Sequence, residues 1–223
     1  MSFNTIRTAL IASFAISVVA FAQPNVTVDT PYQIRYVANL NLGDSVINIT
    51  NGGALGASLA AGTSASTTGA ICVNVYAFSP DEQMISCCSC PVTPNGLVSL
   101  SARRDLVNNT LTPAVPTSIV VKLVASTPVG GSCSGSAARW GRLTSGMLAW
   151  GTTVHAGAAA GSAAVITETP FLPATLSGVF DDNFVGIGEA ARLQSLCTFI
   201  QANGSGFGIC STCRLGGLGA GRL

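Results

Sequence analysis

Eight cysteines, Cys72, Cys87, Cys88, Cys90, Cys133, Cys197, Cys210 and Cys213, all lie downstream of a leader-like stretch. Residues 1–22 carry Arg7 as a positive start, the apolar run Ala9–Val19, and the small-x-small triplet Ala20-Phe21-Ala22 before Gln23-Pro24. Those are the three parts of a secretory signal, and the run is shorter than the roughly 20 apolar residues that a membrane-spanning helix needs. The expectation is a chain that loses residues 1–22 and works as a secreted protein, extracellular or at the cell surface, the periplasm included. In an oxidising compartment an even set of thiols pairs, so all eight cysteines are disulfide candidates, with on the order of a hundred ways to join them.

Strand geometry narrows that choice. Neighbouring residues on a strand point to opposite faces, so Cys87 and Cys88 should take different partners. Residues 189–202 read as a helix, because Ala190, Leu193, Cys197 and Ile200 form one apolar stripe that Asn203-Gly204 ends. Cys197 therefore faces inward and should join one of Cys87, Cys88 or Cys90.

The remaining chain reads as strands and turns. Residues 32–42 alternate, with Ile34, Tyr36, Ala38 and Leu40 on the face expected to be buried and Gln33, Arg35 and Asn39 opposite. Residues 44–50 alternate less cleanly. Residues 70–78 and 83–88 flank Ser79-Pro80-Asp81-Glu82, a hairpin turn with proline at its favoured second position. Pro94-Asn95-Gly96 turns the chain into 97–102. Residues 118–125 form a β-branched run interrupted only by Lys122, suited to a central strand. Residues 147–154 and 163–167 can each add a strand, whereas 51–69, nearly all Gly, Ala, Ser, Thr and Leu, lacks the bulk for a core. The fold class expected is mainly β: an antiparallel β-sandwich or barrel-like domain with one C-terminal helix, disulfide-stabilised. It spans 23–214, with a subdomain boundary at 127–136 and a Gly-rich tail at 215–223.

Charge restricts the partners. Ten basic side chains, Arg7 among them, face nine acidic ones, which leaves no basic surface for nucleic acid. No second apolar run can cross a membrane once the leader is gone. So few charges protect poorly against self-association. The extended segment 23–30, apolar on one side through Val26 and Val28, could join the sheet edge of another copy or tuck into its own sheet.

Several motifs have the outline of chemistry without its context. Cys88-Ser89-Cys90 with Cys210-Ser211-Thr212-Cys213 could hold zinc or an iron–sulfur cluster, or Cys210 and Cys213 could form a redox pair. The first pair is one residue too tight for a metal knuckle, and no helix follows the second. Gly131-Ser132-Cys133-Ser134-Gly135 resembles a nucleophile elbow, but the only histidine, His155, comes before Asp181, against the order that chemistry uses. Gly186-Ile187-Gly188-Glu189-Ala190-Ala191 has dinucleotide-loop spacing without the later acidic residue. Asp181-Asp182-Asn183 lacks the calcium-loop spacing. Trp140, between Arg139 and Arg142, could stack on a sugar, while Trp150 is expected in the core. No catalytic residue, metal ligand or cofactor is assigned. The leading expectation is a secreted structural or cell-surface interaction protein that self-associates or meets other surface proteins; a thiol-redox or metal protein and a carbohydrate-binding module are the alternatives.

Overall fold

The computed structural model describes residues 30–57, 68–113, 115–136, 141–157, 162–177, 188–210 and 213–215. The leader-like stretch 1–22, the segment 23–29, Trp140, the Asp181-Asp182-Asn183 cluster and the tail from 216 onward lie outside them.

Two antiparallel five-stranded sheets pack face to face as a sandwich, with no closed barrel. The strands are β1 (Tyr32–Val37), β2 (Val46–Asn51), β3 (Ile71–Phe78), β4 (Met84–Val92), β5 (Leu97–Ser101), β6 (Ile119–Ser126), β7 (Met147–His155), β8 (Val165–Pro170), β9 (Leu172–Pro173) and β10 (Arg214–Leu215); a π-helical turn, Ala102–Leu106, follows β5, and the α-helix among the described residues is α1 (Glu189–Ala202). The first sheet runs β4-β3-β6-β1-β9 and the second β10-β5-β2-β7-β8. The Ser79–Glu82 turn joins β3 to β4, closed by the Glu82 amide donating to the Ser79 carbonyl at 3.0 Å.

Between the sheets lies one apolar core. It is built from Ile71, Val73, Val75, Ile119, Val121 and Leu123 on one side and Ile47, Ile49, Val98, Leu100 and Met147 on the other. That core draws on strands from both sides of residues 127–136. A second cluster forms on the outer face of the first sheet, where Ala190, Leu193, Cys197 and Ile200 of α1 cover Tyr32, Tyr76, Phe78 and Val124. The first sheet is thus covered on both faces, which is why all eight residues of β3 are buried and why its sequence is nearly continuously apolar. The start of α1 is tied to β6 by an ion pair between Lys122 and Glu189, and the Lys122 ammonium also sits 4.8 Å above the Phe78 ring.

The alternation in β1 has the opposite sense to that expected. Gln33, Arg35 and Val37 point between the sheets, while Tyr32 and Ile34 face α1 and Tyr36 is 62% exposed. The inward polar side chains are accommodated because β1 lies toward the flank of its sheet, where the backbone and threonines of the second sheet supply acceptors. The Gln33 amide donates to the Met147 carbonyl at 2.9 Å.

Burial under α1 and the charge of Glu189 push the Tyr32 phenol up to about 12 from 10.0. A proton bound more tightly in the folded state gives stability that is complete below pH 10 and is lost as pH rises toward 12. Unfolding in urea across that window should show a loss on the order of 2 kcal/mol after allowance for solvent screening. Tyr32→Phe should remove most of that slope; an unchanged slope would place its origin elsewhere.

Candidate functional site in the second sheet

Every cysteine is bridged. The pairs are Cys72–Cys133, Cys87–Cys197, Cys88–Cys210 and Cys90–Cys213, with Cα separations of 5.4, 5.8, 5.4 and 5.6 Å. Cys87 points out of the first sheet to pin α1, whereas Cys88 and Cys90, one strand period apart, share the opposite face and bind the C-terminal segment. The residues singled out as a four-thiol group are brought together, with the Sγ atoms of Cys88, Cys90 and Cys213 within 4.8 Å of one another. They meet as two separate bridges, and Cys210 and Cys213 are not joined to each other. A bridged sulfur is neither the thiolate that ligates metal nor the one that attacks a disulfide.

The elbow-like segment is held down. Cys133 is tied to β3, the Gly135 carbonyl accepts from the Tyr76 hydroxyl at 2.9 Å, and a Cβ on Gly135 would stand 3.1 Å from the Cys197 sulfur. The His155 Nε2 pairs with the Thr167 hydroxyl at 2.8 Å across β7 and β8. Neither arrangement sets a nucleophile beside a base. Of the N-x-S/T sequons at Asn25, Asn48, Asn108 and Asn203, which matter only in a glycosylating host, those at Asn108 and Asn203 are exposed, that at Asn48 is buried within β2, and Asn25 lies outside the described residues.

The sheet edges differ in how they are closed. The β4 edge is occupied by a later segment: the Cys87 amide donates to the Gly208 carbonyl at 2.8 Å and the Cys210 amide to the Cys87 carbonyl at 3.2 Å. Short β9 and β10 lie against β1 and β5. Strand β8 is different. It spans six residues, none of them buried, pairs only with β7, and has no second neighbour among the described residues. Its sequence, Val-Ile-Thr-Glu-Thr-Pro, favours extended backbone and carries one charge. An edge of that length without lysine is a template for another strand, although Pro170 limits it at one end.

Arg35 holds this edge in place. It reaches from β1 in the first sheet to the second, where Nη1 donates to the Thr169 carbonyl at 2.6 Å and to the Thr169 hydroxyl, and Nη2 donates to the Thr153 hydroxyl at 2.9 Å. The residue is only 6% exposed, its Nε has no partner, and it makes no ion pair among the described residues. Burial pushes its guanidinium down from the usual value, with Glu168 pulling the other way. Gly151 makes room for it: a Cβ there would meet Arg35 Nε at 3.0 Å. Phe171 then carries the chain from β8 back into the core, its amide donating to the Ala149 carbonyl at 2.9 Å.

The outer face of the second sheet carries Trp150, which lies outside both apolar clusters and is half-buried. This corrects the expectation of a core position: Met147, Ala149 and Gly151 occupy the inward phase of β7, so Leu148 and Trp150 must point out. Trp150 is paired with Asn48 on one side and Pro170 on the other. Leu148, 49% exposed, continues the row beside Thr50. The signals for Arg35 and Trp150 were present in the strand alternation, but alternation does not say which face is covered.

No known protein family, curated protein or solved structure matches this chain.

Proposed function

We propose that the chain is an extracellular structural and interaction protein, and that it associates with copies of itself by adding a strand to β8. The observation that carries this reading is the six-residue edge of β8, unpaired among the described residues, set against three other edges that are occupied or partly covered. The donor we assign is segment 23–29 of a second copy, whose Val26 and Val28 alternate with polar residues as strand addition requires. The leader and the four bridges support a destination outside the cytosol.

Light scattering on the mature protein over a range of concentrations tests the reading. Self-association should appear, and should be lost both on deleting residues 23–29 and in Val165→Lys, which sets a charge on the exposed edge without touching the core. A mature protein that stays monomeric, or association that survives the deletion at full strength, would refute it.

A further inference from the structure

We propose that the outer face of the second sheet binds a neutral β-linked polysaccharide, with one pyranose ring stacked on Trp150 and gripped by Asn48 and Glu168. Trp140 is the sugar-stacking candidate that the sequence offers, whereas Trp150 is the residue proposed to bind.

Three features converge on one spot. The first is the half-buried indole of Trp150 on the outward phase of β7, the strand between β2 and β8. Its Nε1 makes no hydrogen bond within the described structure. The axial C–H faces of a β-linked pyranose are apolar and stack on such a ring, while the hydroxyls project around its rim.

The second is Asn48, directly across from Trp150 on β2. Its Oδ1 accepts from the Ser99 hydroxyl at 2.6 Å, which orients the amide and leaves the Nδ2 hydrogens without a partner. The residue is 9% exposed, and its Nδ2 is not among the buried polar atoms left without a partner, so the amide reaches the surface, where a ligand can accept from it. A sugar hydroxyl has the size and chemistry to do so. The third is Glu168 on β8, two residues from Pro170 and on the same face as Trp150. Its carboxylate acts on Arg35 through its charge but takes part in no hydrogen bond or ion pair within the described structure, so it can accept from a hydroxyl and repels an acidic polymer. Leu148 gives a second apolar step about 7 Å along β7, enough for a neighbouring ring.

An apolar peptide would use the ring and Leu148 but leave Asn48 and Glu168 unmatched. A sugar uses all of them. The surface uses side chains of the outer face, Glu168 of β8 among them, whereas strand addition uses the backbone edge of β8, so sugar binding would not depend on self-association.

The test uses the mature, fully bridged protein. Retention on insoluble chitin and cellulose is measured against starch, whose α-linkages present the rings differently, and chitohexaose and cellohexaose are titrated while following tryptophan fluorescence. Retention on at least one β-linked polymer, and a saturable change in emission with its oligosaccharide, are expected. Trp150→Ala should weaken binding about tenfold, in line with one aromatic contact, whereas Trp150→Phe should retain part of it and Trp140→Phe nearly all. Glu168→Gln, at an exposed position, provides a variant that does not disturb packing and should weaken binding severalfold. Val165→Lys should bind as the parent does, which separates this result from the edge pairing. Retention on neither polymer, equal retention on starch, or full binding by a folded Trp150→Ala would overturn the assignment.

Discussion

Replacing Cys87 and Cys197 together by alanine should lower stability by about 3–5 kcal/mol, a large part of what a domain of this size has. The bridge spans 110 residues, so the reduced chain regains a long loop's freedom. The native state also loses the cross-link that fixes α1 to the first sheet. The Cys90–Cys213 bridge offers the control. It spans 123 residues, so its effect on the unfolded chain is nearly the same, but it ties down two-residue β10 rather than the helix. Urea unfolding should therefore give similar losses for the two double variants. Hydrogen exchange should separate them: amides of α1 should lose protection only when Cys87 and Cys197 are replaced, because Ala190, Leu193, Ile200 and the Lys122–Glu189 pair then hold the helix alone. Equal protection of α1 in both variants would show that the bridge acts only on the unfolded chain.

Much of this architecture is written locally. The stripe Ala190, Leu193, Cys197, Ile200 specifies α1, proline at Pro80 specifies the first hairpin, and the β-branched run around Lys122 specifies a central strand. The fold class and the inward aim of Cys197 follow from those periodicities alone. What is not local is also not legible. Period-two alternation marks two faces of a strand without saying what covers each, and in this sandwich the first sheet is covered twice. Hence Gln33 and Arg35 turn inward where their acceptors happen to lie on β7 and β8, and Trp150 turns outward because Met147 and Ala149 claim the core. The separate pairing of Cys210 and Cys213 is of the same kind. Their spacing suggested a unit, but it is Cys88 and Cys90, on one face of β4, that set where each must go. That β8 has a single neighbour among the described residues emerges only once the order of the strands is known.

Arg35→Ala and Gly151→Val should each destabilise the protein, and less than additively when combined. Arg35→Ala removes three donated hydrogen bonds from a charged group and leaves a void between the sheets, a loss of about 3 kcal/mol. Gly151→Val introduces a residue that strands favour, yet its Cβ would stand 3.0 Å from both Arg35 Nε and the Val46 carbonyl, and overpacking of that kind costs about 1–3 kcal/mol. If the two residues share one space, truncating Arg35 relieves half of the clash, and the double variant should recover about 1 kcal/mol or more relative to the sum. Arg35→Met separates packing from hydrogen bonding. It fills the space without a charge that must be stripped of water, and a buried guanidinium lacking a carboxylate partner is an expensive group to keep; this variant should therefore lose less than Arg35→Ala. Strict additivity in the double variant, or a loss in Arg35→Met as large as in Arg35→Ala, would contradict the account. Because Thr169 and Thr153 are the groups that Arg35 holds, the first amides to exchange in Arg35→Ala should be those of β8. Under the proposed self-association, the arginine's contribution is to keep straight β8, which has no second neighbour among the described residues.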